Sequence, residues 1–163
     1  MGKRIVIDLD MCRECADCTA SCSYLYHPGN DGVAWLRELA AYELTCRRCE
    51  QKSCVEACAN DALEKLEDGM LKRHNLRCVG CMSCTVACPF GTLVPAAFLF
   101  RGPMCDFCLD RGIDVPTCVA TCPDNALKYE EIEEGDSVHI VGEHLAVQTH
   151  KWLKKEPVPA EKK

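Results

Sequence analysis

The sequence predicts an α+β fold of small repeated units that rely on metal more than on a large hydrophobic core. Three observations carry that expectation. Cysteines are abundant and regularly spaced, the remaining apolar content is thin, and short β-branched runs alternate with tight cysteine loops.

The chain of 163 residues contains 16 cysteines in four groups of four. Cys12, Cys15, Cys18 and Cys22 are spaced C-x2-C-x2-C-x3-C. Cys46, Cys49, Cys54 and Cys58 follow C-x2-C-x4-C-x3-C. Cys78, Cys81, Cys84 and Cys88 return to the first spacing, and Cys105, Cys108, Cys118 and Cys122 give C-x2-C-x9-C-x3-C. The residue before each fourth cysteine is small (Ser21, Ala57, Ala87, Thr121), which lets the backbone approach a bound group closely. After the fourth cysteine the chain runs ANDAL at 59–63, PFGTL at 89–93 and PDNAL at 123–127, with leucine at one offset. The first motif departs from this with SYLYH at 23–27. The shared offsets point to duplication of one supersecondary unit.

Apolar residues make up 48% of the chain, but roughly 38% once the cysteines are set aside. That is a thin core for a length that suits one domain or two small ones. Metal-binding free energy is therefore expected to contribute to folding. At the N-terminus, Ile5, Val6 and Ile7 run straight into Asp8 and Asp10, too short for an export signal. The longest apolar run, GTLVPAAFLF at 91–100, is interrupted by Pro95 and falls short of the ~18 residues of a membrane helix. A cytoplasmic, reducing location is expected, where clustered cysteines serve as metal ligands. A net charge of -6 with no basic stripe argues against nucleic acid as a partner.

The elements follow in order. Residues 4–9, RIVIDL, predict a strand leading into the first cysteine loop. Residues 62–67 and 71–74 flank Asp68-Gly69 and predict a hairpin. Residues 126–132 predict a matching strand near the end. The three residues between third and fourth cysteines suit the opening of a short helix.

Three chemistries compete for the cysteines. Disulfides fit poorly with a reducing context and with strained C-x2-C loops. Zinc sites use paired C-x2-C units but have no need of a further cysteine three residues on. C-x2-C-x2-C-x3-C-P is the bacterial ferredoxin pattern, in which three close cysteines hold one iron–sulfur cubane and the fourth reaches a neighbouring one. Pro89 and Pro123 take the proline position; Ser23 and Ala59 do not. The spacing thus favours four [4Fe-4S] clusters.

On these motifs, residues 4–128 resemble the four-cluster polyferredoxin subunits that accompany molybdenum or tungsten pterin enzymes, hydrogenases and carbon monoxide dehydrogenase. CVGCMSCTVACPFG at 78–91 and CDFCLDRGIDVPTCVATCP at 105–123 are especially similar to that family. The resemblance implies two ferredoxin-like units, each with two clusters. An inner unit (45–94, motifs two and three) would be inserted in an outer one (1–44 and 95–150, motifs one and four); independently of the resemblance, the terminal sequence predicts a disordered tail over 151–163. The resemblance further implies that Cys12, Cys15, Cys18 and Cys122 hold one cluster, and Cys105, Cys108, Cys118 and Cys22 its partner. Cys46, Cys49, Cys54 and Cys88 would hold the third, and Cys78, Cys81, Cys84 and Cys58 the fourth. Spacing alone would equally allow the first motif to pair with the second.

Sixteen thiolates complete four cubanes and leave no iron open to substrate, so the expected work is single-electron transfer, not catalysis. Arg13, Arg47, Arg48 and Arg77 lie beside cysteines and either raise cluster potentials or are solvated surface groups. His27, His74, His139, His144 and His150 are expected to be surface or packing residues, and the acidic run 130–134 a solvated face. Residues 91–100 and 138–152 carry more apolar side chains than a small carrier exposes. They mark a partner interface or packing between the two halves. These features point to a bound electron conduit between a catalytic oxidoreductase subunit and a further donor or acceptor. A free ferredoxin and a zinc-stapled interaction module are the alternatives. The resemblance favours a tungsten enzyme of the aldehyde oxidoreductase or benzoyl-CoA reductase type as partner, with formate dehydrogenase and hydrogenase complexes close behind.

Overall fold

The computed structural model describes residues 2–16, 18–22, 32–67, 69–74, 76–93, 105–109, 112–152, 154 and 159. Strand β1 (Arg4–Asp8) occupies the predicted RIVIDL segment, and Ile5, Val6 and Ile7 are all buried. Burial of successive residues means that both faces are covered, as a central strand requires. β1 pairs antiparallel with β4 (Leu127–Glu130), placing Arg4 opposite Glu130 and Ile7 opposite Leu127. The strand expected near the end is therefore the direct partner of the first. On its other edge β1 runs parallel to β6 (Leu145–Gln148), which pairs antiparallel with β5 (Val138–Ile140), giving the order β4-β1-β6-β5.

This sheet accounts for the apolar content of 138–152. Leu145, Ala146 and Val147 are fully buried in β6, so these side chains go to packing within the chain. Of the other apolar stretch, residues 94–100 lie outside the described residues, as does His27.

Asp8 ends β1 and starts a helix. Its carboxylate accepts the Met11 N–H at 3.0 Å, an N-cap for α1 (Leu9–Glu14). The first motif thus begins on a helix, and its residues 18–22 are not helical. In the other three motifs the helix lies where expected: α3 (Ser53–Glu56), α4 (Ser83–Ala87) and α5 (Thr117–Ala120).

Helix α2 (Gly32–Thr45) has no counterpart in the cysteine pattern. Val33, Leu36, Leu39, Ala40 and Leu44 recur at helical spacing, are buried, and join Ile5, Ile7, Leu145 and Val147 in one core. The predicted hairpin forms from β2 (Leu63–Lys65) and β3 (Leu71–Arg73), with Leu63 opposite Arg73. It is shorter than expected because the turn consumes its ends: Leu66 N–H donates to Met70 O at 2.8 Å. Gly69 has φ +86°, and a side chain there would meet Arg48 at 3.3 Å. Asp68 lies outside the described residues.

Near the C-terminus Lys151 Nζ reaches Glu14 at 2.6 Å, and Trp152 packs under Arg13. Lys154 Nζ donates to Glu134 and to Ile140 O, both at 2.8 Å. Among the described residues no helix is long and apolar enough to cross a membrane.

Candidate metal centres

Each C-x2-C loop must curl its backbone around the sulfurs, and left-handed residues do this. The second intervening residue has positive φ in three motifs: Arg48 (45°), Gly80 (70°) and Phe107 (55°). The curl aims N–H groups at sulfur. Phe107 N–H donates to Cys105 Sγ at 3.4 Å, and the Arg48 N–H does the same for Cys46. In the first motif the corresponding residue, Glu14, is inside α1.

A second left-handed residue explains the repeated pentapeptides. Asp61, Gly91 and Asn125 each follow a fourth cysteine by three positions, with φ of 48°, 62° and 53°. Each returns its N–H to that cysteine's carbonyl, at 3.2, 3.2 and 3.4 Å. Only Gly, Asn and Asp adopt this conformation readily. The turn then buries Leu63, Leu93 and Leu127. Asp, Gly and Asn at this offset are thus a functional signal that leucine periodicity alone does not capture.

Around these loops the thiols gather in sets drawn from two motifs each. Cys46, Cys49, Cys54 and Cys88 line a hollow of about 500 Å³. Cys58, Cys78, Cys81 and Cys84 line another of about 400 Å³, and Cys22, Cys105, Cys108 and Cys118 a third of about 310 Å³. Cys12 lies within electrostatic reach of Cys18 and Cys122. Among the described residues no three His, Cys, Asp or Glu side chains converge on a point suited to a single metal ion. The thiols instead surround volumes, the arrangement that suits a polynuclear cluster. The motifs are also tied in pairs. Ser21 N–H donates to Thr121 Oγ1 at 2.9 Å, joining the small residues that precede Cys22 and Cys122. Helices α3 and α4, which precede Cys58 and Cys88, pack together.

Crowding shifts the thiols strongly. Burial, reinforced by neighbouring thiolates, pushes Cys105 up to about 12 and Cys54 and Cys118 up to about 11. Such groups ionise together only with a cationic centre between them, and a metal supplies it. At Cys88 burial acts upward, but the Thr92 hydroxyl at 3.3 Å and the N–H groups of Phe90, Thr92 and Leu93 outweigh it and lower the pKa. The Tyr42 hydroxyl donates to Cys46 Sγ at 3.3 Å, and Ala62 N–H donates to Cys58 Sγ at 3.2 Å.

The four arginines singled out in the sequence have structural work. Arg13 and Arg47 stack on Trp152 and Phe90, each 5.3 Å from the ring centroid. Arg48 donates to Val141 O at 3.0 Å and lies 3.7 Å from the buried Glu43, which also accepts the Leu71 N–H. Arg77 donates to Asp61 O. Arg47 and Arg48 also line the hollow of Cys46, Cys49, Cys54 and Cys88, with Lys52 and Lys65, while the buried Arg73, which the cysteine pattern does not flag, lines that of Cys58, Cys78, Cys81 and Cys84. Of the histidines, His74 pairs with Glu64 at 2.8 Å and His144 lies against Phe107.

Four-thiol hollows with hydrogen bonds to sulfur define an iron–sulfur protein. A profile described as a 4Fe-4S dicluster domain matches residues 37–132, more than half of the chain and three of its four motifs. The chain belongs to this family. It is 32% identical over 151 residues to the B subunit of the anaerobic dimethyl sulfoxide reductase of Escherichia coli, covering 78% of this chain and 73% of that one. It is 29% identical to the thiosulfate reductase electron transfer subunit PhsB of Salmonella typhi, covering 83% and 79%. It is also 32% identical to an uncharacterized ferredoxin of Methanocaldococcus jannaschii, covering 77% and 78%. With its 16 cysteines it is an electron-transfer protein of four [4Fe-4S] clusters, without a catalytic role of its own. When bound, the clusters supply one-electron redox chemistry. The cysteines gathered at the hollows would hold them, with Tyr42 O–H and the N–H groups of Ala62 and Phe107 donating to cysteine sulfur.

Proposed function

We propose that this chain is the conducting subunit of an oxidoreductase complex, relaying single electrons between a catalytic subunit and a second redox partner. The observation that supports this is that the 16 cysteines fall into four groups of four with none left over, which would complete four cubanes and leave no iron for substrate. The proposed ligand sets are Cys12, Cys15, Cys18 and Cys122; Cys105, Cys108, Cys118 and Cys22; Cys46, Cys49, Cys54 and Cys88; and Cys78, Cys81, Cys84 and Cys58. In support, three of these sets each line one hollow, and Cys12 lies near Cys18 and Cys122.

The proposed organisation is an inner unit (45–94) inserted in an outer one (1–44 and 95–150). It is supported by β1–β4 pairing across motifs one and four, and by the β2–β3 hairpin between motifs two and three. A reductase catalytic subunit is the proposed partner, in line with the names of the relatives from Escherichia coli and Salmonella typhi, and the cytoplasm is the proposed location. The finer assignment to a tungsten enzyme of the aldehyde oxidoreductase or benzoyl-CoA reductase type rests on the family resemblance alone. A free ferredoxin is the second reading, favoured by the ferredoxin relative from Methanocaldococcus jannaschii.

Anaerobic purification from the native host separates the two. The conduit predicts a companion in fixed ratio that carries molybdenum or tungsten and exchanges electrons with this chain. A fully loaded chain that purifies alone means the free carrier.

A further inference from the structure

Arg73 ends β3, opposite Leu63 on β2, and both side chains line the hollow of Cys58, Cys78, Cys81 and Cys84. The residue is only 8% exposed, an unusual position for an arginine. The hairpin register fixes this. A strand's alternation sends Arg73 and Leu63 to the same side as the thiols, with Lys72 exposed on the other. Burial costs the guanidinium more than it regains and holds its pKa below the usual arginine value, while the Cys78 and Cys84 thiolates act in its favour. Among the described residues no acidic side chain lines the hollow. The hollow of Cys46, Cys49, Cys54 and Cys88 is lined by Arg47, Arg48, Lys52 and Lys65, all at least partly exposed, and that of Cys22, Cys105, Cys108 and Cys118 by Asp106 and no cation among the described residues.

We infer that Arg73 is a tuning residue that raises the reduction potential at the hollow of Cys58, Cys78, Cys81 and Cys84. The physics is elementary. Each electron accepted makes the thiolate-ligated site one unit more negative, and a buried cation beside the thiolates favours that state. With the residue 8% exposed, water screens it less than a surface cation, and an arginine stays charged across the working pH range. The inference rests on the ligand set proposed above.

The test is an EPR-monitored redox titration of the full, anaerobically loaded chain carrying Arg73→Met, Arg73→Gln or Arg73→Lys. Cys58→Ser and Cys78→Ser in the parent chain identify the component that belongs to this hollow. Expected is a drop of at least tenfold in that component's reduced-to-oxidised ratio at fixed ambient potential in Arg73→Met. For a one-electron couple this is about 59 mV. Arg73→Lys should stay near the parent, iron and sulfide contents should be unchanged, and the other components should hold their positions. A loaded Arg73→Met chain with that component unmoved overturns the inference. So does a shift confined to another component. Loss of iron in both Arg73→Met and Arg73→Gln overturns it too, because Arg73 would then build the site and not tune it. If the two cysteine variants alter different components, the ligand set has failed, and the inference falls with it for that separate reason.

Discussion

Thr92 and Gly91 show how single side chains serve a cluster site. The Thr92 hydroxyl lies 3.3 Å from Cys88 Sγ, and a donor at sulfur stabilises the reduced, more negative state. Thr92→Val keeps the shape and removes the donor. A net hydrogen bond is worth about 1 kcal/mol, so one component of the redox titration should fall by roughly 40 mV. A component that rises or stays would show that this contact does not reach the cluster. Gly91 tests the turn after the fourth cysteine. Its φ is 62° and nothing lies within 4 Å of where a Cβ would stand, so only backbone preference matters. Gly91→Asn, which copies Asn125, should load and melt like the parent. Gly91→Val should lose about 1–2 kcal/mol, seen as a lower midpoint in anaerobic thermal unfolding. Equal behaviour of the two variants would remove the conformational argument. These turn residues were in plain view in the sequence as Asp61, Gly91 and Asn125. Their meaning depends on φ, which leucine spacing does not report.

Elements were legible where their signal is local. RIVIDL, the Asp68-Gly69 hairpin and the short helices before Cys58, Cys88 and Cys122 follow from patterns a few residues long. β6 and α2 were not, for different reasons. β6 is four residues whose burial comes from parallel pairing with β1 at the other end of the chain, and no local pattern encodes that partner. α2 carries a clear helical stripe from Val33 to Leu44, but it lies between motifs and has no cysteine to draw attention to it. The consequence is an apolar core to which α2 and β6 both contribute, with Leu145 fully buried in it. Leu145→Ala should therefore cost about 2–5 kcal/mol, measured as a lower denaturant midpoint of the loaded protein. A change well below 1 kcal/mol would mean that the clusters alone hold this sheet in place.

At the scale of the whole molecule, two sources of stability meet. One sheet joins the start of the chain to its end, and three thiol hollows each join two motifs. The four cysteine motifs were legible because ligand spacing is a chemical requirement written locally: three cysteines must reach one cubane. Which motif lends its fourth cysteine to which is a tertiary matter, and spacing left it open. Contacts such as Ser21 with Thr121, a hundred residues apart, bear on it only once the chain is folded. Arg73 and Glu43 were hidden for the same reason, since burial of a charged group is invisible in composition. The central claim is that these thiols hold four cubanes for electron transfer. Its most direct test is iron and acid-labile sulfide per chain in anaerobically purified protein. The account predicts one of each for every cysteine, sixteen and sixteen. Zinc with no sulfide would contradict it.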